Sequence, residues 1–156
     1  MGSLLDTFPV TLAAAKEAHE AAVIQAGHRG SVCPCCRRRQ FLYKRTINAE
    51  MAVFLIKLVK AWRRRPRFYH TSELIRTTTK AATDASYLVH WGLLERGRHG
   101  QYRPTPAGLD FVHEQLKISA YVTLLNNEPQ DWSSETMGIR EALGGRYSLE
   151  TLMRDD

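Results

Sequence analysis

The sequence predicts a mostly α fold with a minor β component, and three observations lead there. The stretch INAEMAVFLIKLVKAW, from Ile47 to Trp62, is apolar around well over half of a helical circumference, with Glu50, Lys57 and Lys60 as its polar strip. A helix that apolar is buried against more than one neighbour. Leu12, Ala15, His19, Ala22, Val23 and Ala26 recur at helical spacing between Pro9 and Gly27, where glycine is a natural C-cap. Thr105 followed by Pro106 joins an N-cap to the residue best suited to the first helical position. With 156 residues, 44% hydrophobic and 24% charged, the chain is globular in composition and can bury a core with a small appendage to spare.

The remaining elements follow in order. HRGSVCPCCRRRQ, from His28, is a loop by composition. RRRPRF ends the core helix, because Pro66 excludes further helix and pushes Arg65 into an extended conformation. A short helix around Ser72–Arg76 has Thr71 or Ser72 as its cap, and a second helix runs from about Thr79 to Trp91. Strands at Leu93–Arg96 and Gln101–Arg103 flank a basic loop, and the helix begun at Thr105 turns Leu109, Val112 and Leu116 inward. ISAYVTLLNNE, from Ile118, reads as a strand closed by an Asn-Asn turn; SSETMGIREAL and SLETLM are short helices around Gly144 and Gly145. The expected organisation is an N-terminal helix with a cysteine-containing basic loop (1–45), a central core (46–116) and a C-terminal strand with short helices (117–156).

Charge is unevenly placed. The total is +6, yet residues 37–67 alone carry eleven basic residues against Glu50, while residues 104–156 carry four against nine acids. A basic block in an otherwise balanced chain points to a polyanion partner, although charge runs also serve simply as solvated helix flanks.

Helix, short helix, turn, helix, strand, loop, strand, helix is the order of a winged helix-turn-helix, in which the second helix of the pair enters the major groove of duplex DNA. On the helix 79–91, Ala81, Ala85, Leu88 and Val89 cluster on one side, and Thr79, Lys80, Thr83, Ser86, Tyr87 and His90 point away. Their hydroxyl, ammonium, phenol and imidazole groups suit phosphates and base edges. Asp84 at the boundary would repel phosphate unless it accepts from cytosine or is paired internally. The loop from Arg96 to Arg103 adds Arg96, Arg98, His99 and Arg103, and Arg37, Arg38, Arg39, Arg63, Arg64 and Arg65 are expected to contact phosphate or extend the footprint.

GLLERGRHGQYRPTPAG, from Gly92, resembles the wing of MarR/PadR-type winged-helix regulators, a likeness covering residues 68–116. More broadly, CPCC, the apolar helix, YLVHWGLLE, YRPTPAGLDFV and AYVTLLNN before EALGGRYSLETLM resemble a group of small proteins of bacteriophages and bacterial mobile elements, over residues 31–153. The likeness implies a winged-helix setting and a phage or mobile-element context. In that group the cysteine segment tends to read Cys-Pro-x-Cys-Gly, whereas Arg37 stands in the glycine position here.

Cys33, Cys35 and Cys36 are the three cysteines, too few and too close for a disulfide framework. Cys33 and Cys36 have the spacing of half a zinc site. His28, His19 or His70 would complete it, or two chains would share four cysteines; otherwise the segment is a reduced, metal-free turn. The arginines at 37–39 would lower the thiol pKa values. No P-loop, dinucleotide fingerprint, HExxH or nucleophile-elbow motif occurs, so no enzyme is expected. No apolar run reaches membrane-spanning length and the N-terminus lacks a basic region before its leucines, so the expectation is no membrane association and a cytoplasmic location, in the bacterial host if phage-encoded. The expected function is regulation by duplex DNA binding, as a homodimer. The alternative is a protein-interaction adaptor that binds a host protein without DNA, since the basic block centres on the core helix rather than on the helix 79–91.

Overall fold

The computed structural model describes residues 11–76 and 80–154, and among them no helix is long and apolar enough to cross a membrane. The chain forms two compact units, one comprising Met1–Lys44 with Thr123–Gln130 and the other Arg45–Val122 with Asp131–Asp156.

The expectation of a mostly α fold is corrected. The described residues are 46% helical and 22% strand, with four small antiparallel sheets, so the fold is mixed α+β. The missed strands are two to five residues long and too polar to alternate. The clearest is Glu128–Trp132, exposed along its whole length at the edge of a sheet, where Pro129 is tolerated because no partner needs its missing N–H.

In the first unit, helix α1 (Leu12–Ala26) starts at Thr11, whose side chain accepts from Ala14 N, and ends at Gly27. Of its predicted inner face only His19 and Val23 are buried, and Leu12 is 80% exposed. Strands β1 (Ser31–Val32) and β2 (Arg39–Gln40) pair antiparallel around the cysteine segment. Strand β3 (Tyr43–Thr46) leads out of this unit.

In the second unit, helix α2 (Ala49–Arg64) is the centre of the core. Asn48 caps it by accepting from Met51 N at 2.9 Å, and Met51–Ile56, Leu58 and Val59 are buried. Arg65 is extended at its end, as Pro66 requires, and the Tyr69 hydroxyl lies 2.9 Å from the carbonyls of both Ala61 and Arg65. Strand β4 (Tyr69–His70) leads directly into helix α3 (Thr71–Leu74), which is capped by His70 rather than by Thr71 or Ser72.

The helix expected over 79–91 is shorter and of two kinds. Helix α4 (Lys80–Asp84) tightens into a 3₁₀ segment at Ala85–Val89. Thr83, Asp84, Ser86, Tyr87 and Val89 are weak helix formers set among alanines, and the Ser86 hydroxyl donates to Thr83 O, a local bond that competes with the α ladder.

Strands β5 (Leu94–Arg96) and β6 (Gln101–Pro104) form a hairpin, and the sheet order is β4-β6-β5. Helix α5 (Pro106–Val112) begins at Thr105, whose hydroxyl donates to Gly92 O and accepts from Gly108 N. A β-carbon at Gly108 would overlap the Leu93 carbonyl, so glycine lets α5 lie directly on the chain entering β5.

Beyond α5, β7 (Ile118–Ser119) pairs with β10 (Thr136–Met137). Between them run β8 (Tyr121–Leu125) and β9 (Glu128–Trp132), joined through Asn126 and Asn127, both at positive φ as a tight hairpin turn requires. Their sheet has the order β3-β8-β9. Helices α6 (Ile139–Leu143) and α7 (Leu149–Arg154) pack on α2, with the Tyr147 hydroxyl donating to Glu50 at 2.6 Å and Lys60 donating to Leu152 O at 2.8 Å.

Candidate nucleic-acid interface

The hairpin of β5 and β6 is built as a stiff projection. Leu94 faces Pro104, Glu95 faces Arg103 and Arg96 faces Tyr102. The tip closes with Gln101 N donating to Arg98 O, and the two residues between, His99 and Gly100, both have positive φ. That is the signature of the turn type whose twist suits a two-stranded ribbon. Just before this turn, a β-carbon on Gly97 would come within 2.7 Å of the Phe68 ring, and the Arg103 guanidinium lies 4.7 Å from the same ring's centroid. Phe68 is thus packed between the loop backbone and an arginine.

The expected contact residues are not equally available. Arg96, Arg98 and His99 are exposed, and neither Arg96 nor Arg98 forms an ion pair among the described residues. Arg103 is exposed but bound to Glu95 at 2.7 Å, so much of its charge is answered within the hairpin. On α4, Lys80 and Thr83 are exposed, while Ser86 and Tyr87 in the 3₁₀ segment are half-buried. Thr79 lies outside the described residues. Asp84 is buried, which takes its carboxylate off the surface. Arg63, Arg64 and Arg65 are exposed at the C-terminal end of α2, where they also complement the helix dipole. Arg37, Arg38 and Arg39 are exposed in the first unit, with Arg39 donating to Arg29 O at 2.8 Å.

A cationic and aromatic row joins the 3₁₀ segment to the hairpin. The Arg45 guanidinium sits 4.4 Å over the Tyr87 ring and donates to its hydroxyl at 3.2 Å. Tyr87 lies 6.0 Å from His90, centroid to centroid, because a 3₁₀ turn aligns residues three apart. Burial, and then the charge of Arg96, hold the His90 imidazole below its ordinary pKa. None of these four side chains is a carboxylate. Sequence reasoning missed Arg45 and Phe68; the only signal for Arg45 was its membership of the basic block. A separate shallow recess of about 250 Å³ is lined by His90, Trp91, Ile118, Ser119 and Trp132, with Trp91 donating to Ser119 O at 2.8 Å.

The three cysteines occupy one tight turn of the first unit. Cys33 N donates to Arg38 O and Arg37 N to Cys33 O, each at 2.9 Å. Arg37 adopts the positive φ, 59°, that glycine would take in this position, so the substitution does not prevent the turn. The backbone of Cys36, and then that of Cys35, holds the Cys33 thiol below its ordinary pKa. Cys35 and Cys36 are exposed. Among the described residues no three His, Cys, Asp or Glu side chains are arranged to hold a metal ion. His19 Nε2 is buried without a hydrogen-bond partner, beside a recess of about 270 Å³ that Cys33 and Cys35 also line.

No family model, curated protein or solved structure matches this chain.

Proposed function

We propose that the second unit binds duplex DNA in the manner of a winged helix-turn-helix, with the start of α4 directed to the groove and the β5–β6 hairpin to the flanking backbone. The observation that carries this reading is the row Arg45–Tyr87–His90–Arg96, which runs from one arginine to another through a phenol ring and an imidazole without a carboxylate among them. Gathering like charges is unfavourable in the free protein and becomes favourable when an external polyanion lies against them. The exposed Arg98, His99, Lys80 and Thr83 extend the same chemistry, and the sheet order β4-β6-β5 agrees with the proposed arrangement. Arg103 belongs to the framework in this reading rather than to the contact surface. Regulation of transcription in a phage or mobile-element setting is the role that follows.

Fluorescence anisotropy with random-sequence duplex over a salt series tests the reading. Affinity is expected to fall steeply with salt, and Arg96→Ala with Arg98→Ala to weaken binding and reduce the log–log salt slope by about 2. Absence of binding at low salt, or an unchanged slope in the double variant, would overturn it.

A further inference from the structure

Two tryptophans meet at the shallow recess of the second unit. Their ring centroids lie 5.9 Å apart with the planes at 75°, and Trp132 is 40% exposed. The Trp91 indole N–H donates to Ser119 O at 2.8 Å, which fixes that ring. The backbone beside Trp132 is held as well: Ser133 N donates to Tyr121 O at 3.0 Å and the Ser133 hydroxyl to Glu135 O at 2.8 Å. Because the two rings are nearly perpendicular, a planar group stacked on either indole stands edge-on to the other, and both arrangements are favourable between aromatic rings. The recess measures about 250 Å³, below the roughly 300–1,000 Å³ of pockets for drug-sized ligands. It suits a single ring system. Two polar side chains also line it, and among the described residues no hydrogen bond engages the His90 ring nitrogens or the Ser119 hydroxyl. A ring with flat faces and a hydrogen-bonding rim fits that lining, and a nucleobase is such a ring.

We propose that this recess seats one unpaired nucleobase, so that the protein prefers duplex DNA ending in a short single-stranded extension to a blunt duplex. The proposal rests on reading the row from Arg45 to Arg96 as a phosphate-binding surface, because His90 belongs to both. Its ring lies 6.0 Å from that of Tyr87, over which the Arg45 guanidinium sits at 4.4 Å, and it also lines the recess. Strand β5, which ends at the exposed Arg96, packs on the 3₁₀ segment that carries Tyr87. A cationic surface beside an aromatic platform is the combination that holds single-stranded nucleic acid, with charge following the backbone and stacking taking the bases. A base inside a duplex is stacked and paired, so only an unpaired one reaches the indoles. A cationic ligand is disfavoured here, since the lining holds no carboxylate and the adjoining row holds two arginines. Asp131, next to Trp132, has its carboxylate turned onto the Trp132 backbone N–H at 2.9 Å.

Fluorescence anisotropy with the full chain tests this on a blunt duplex, the same duplex with a short thymidine overhang, the same overhang built of abasic nucleotides, and the single strand alone. The thymidine overhang should bind about tenfold more tightly than the blunt duplex, the scale of one base stacked on an aromatic side chain. The abasic overhang keeps the phosphates and should lack that gain. Trp132→Ala should abolish the thymidine advantage and leave blunt-duplex affinity unchanged, while Trp132→Phe keeps most of it. Circular dichroism of both variants reads folding, and the comparison of thymidine with abasic overhangs needs no variant at all. Equal affinity for those two overhangs, or an advantage that survives in Trp132→Ala, would overturn the base recess and leave the duplex reading standing. Binding of the single strand but not of blunt duplex, weakened about tenfold by Trp132→Ala, would uphold the recess and remove the duplex reading. No binding to any of the four would overturn both.

Discussion

Helix α1 has 15 residues and buries two of them, whereas α2 has 16 and buries eight. Both look apolar in composition, but alanine supplies most of the first and branched or aromatic side chains most of the second. Alanine favours helix without bringing much surface to bury, so α1 rests on propensity and its Thr11 cap. Helix α2 contains β-branched and aromatic residues that are indifferent helix formers, and tertiary packing holds it. The second unit therefore carries a core of its own, and the first leaves Leu12, Ile24, Val32 and Tyr43 exposed.

The largest effect is expected in α2. Phe54 is fully buried and meets the Tyr102 ring edge-on at 6.3 Å. Phe54→Ala should cost about 3–5 kcal/mol in denaturant unfolding, the range for removing a buried aromatic ring. A loss near that of a surface substitution would break the contrast between the two helices.

A smaller effect should come from pH. His90 is held below the usual 6.5 by burial and by Arg96. Above that value it is neutral in both folded and unfolded chains. As pH falls through 6.5 the unfolded chain takes up the proton first, so stability declines until the folded-state value is also passed. His90→Phe should flatten this part of the stability curve, measured as melting temperature between about pH 7 and pH 5. Identical curves for the two proteins would remove His90 from the row as a titrating group.

The smallest change is expected at Leu12. Leu12→Ala should alter stability by no more than about 0.5 kcal/mol in denaturant unfolding, as for an exposed position. A loss of the size expected for a buried leucine would place Leu12 in the first unit's own packing.

The elements legible in the sequence were those whose signal is local. The apolar circumference of α2, the Thr105–Pro106 start, the Asn126–Asn127 turn and the Pro66 break each reside in a few adjacent residues, and each is found where expected. The β content was not legible, because strands such as β2 and β9 carry charged and polar residues on both faces and take their pairing from distant segments. The site was legible as a set of basic residues but not as an arrangement. Arg45 meets Tyr87 across 42 residues of chain, and the Glu95–Arg103 pair depends on hairpin register. Nothing in the local pattern separates Arg103, which is paired with Glu95, from Arg98, which forms no ion pair among the described residues.

Gly97 seated on the Phe68 ring has a consequence for the energetics of any encounter. The backbone at Gly97, just before the tip, cannot swing toward the Phe68 ring, and the tip itself is pinned by its own turn. A loop with so little conformational freedom surrenders little entropy when a ligand immobilises it, so more of each contact's free energy survives as affinity.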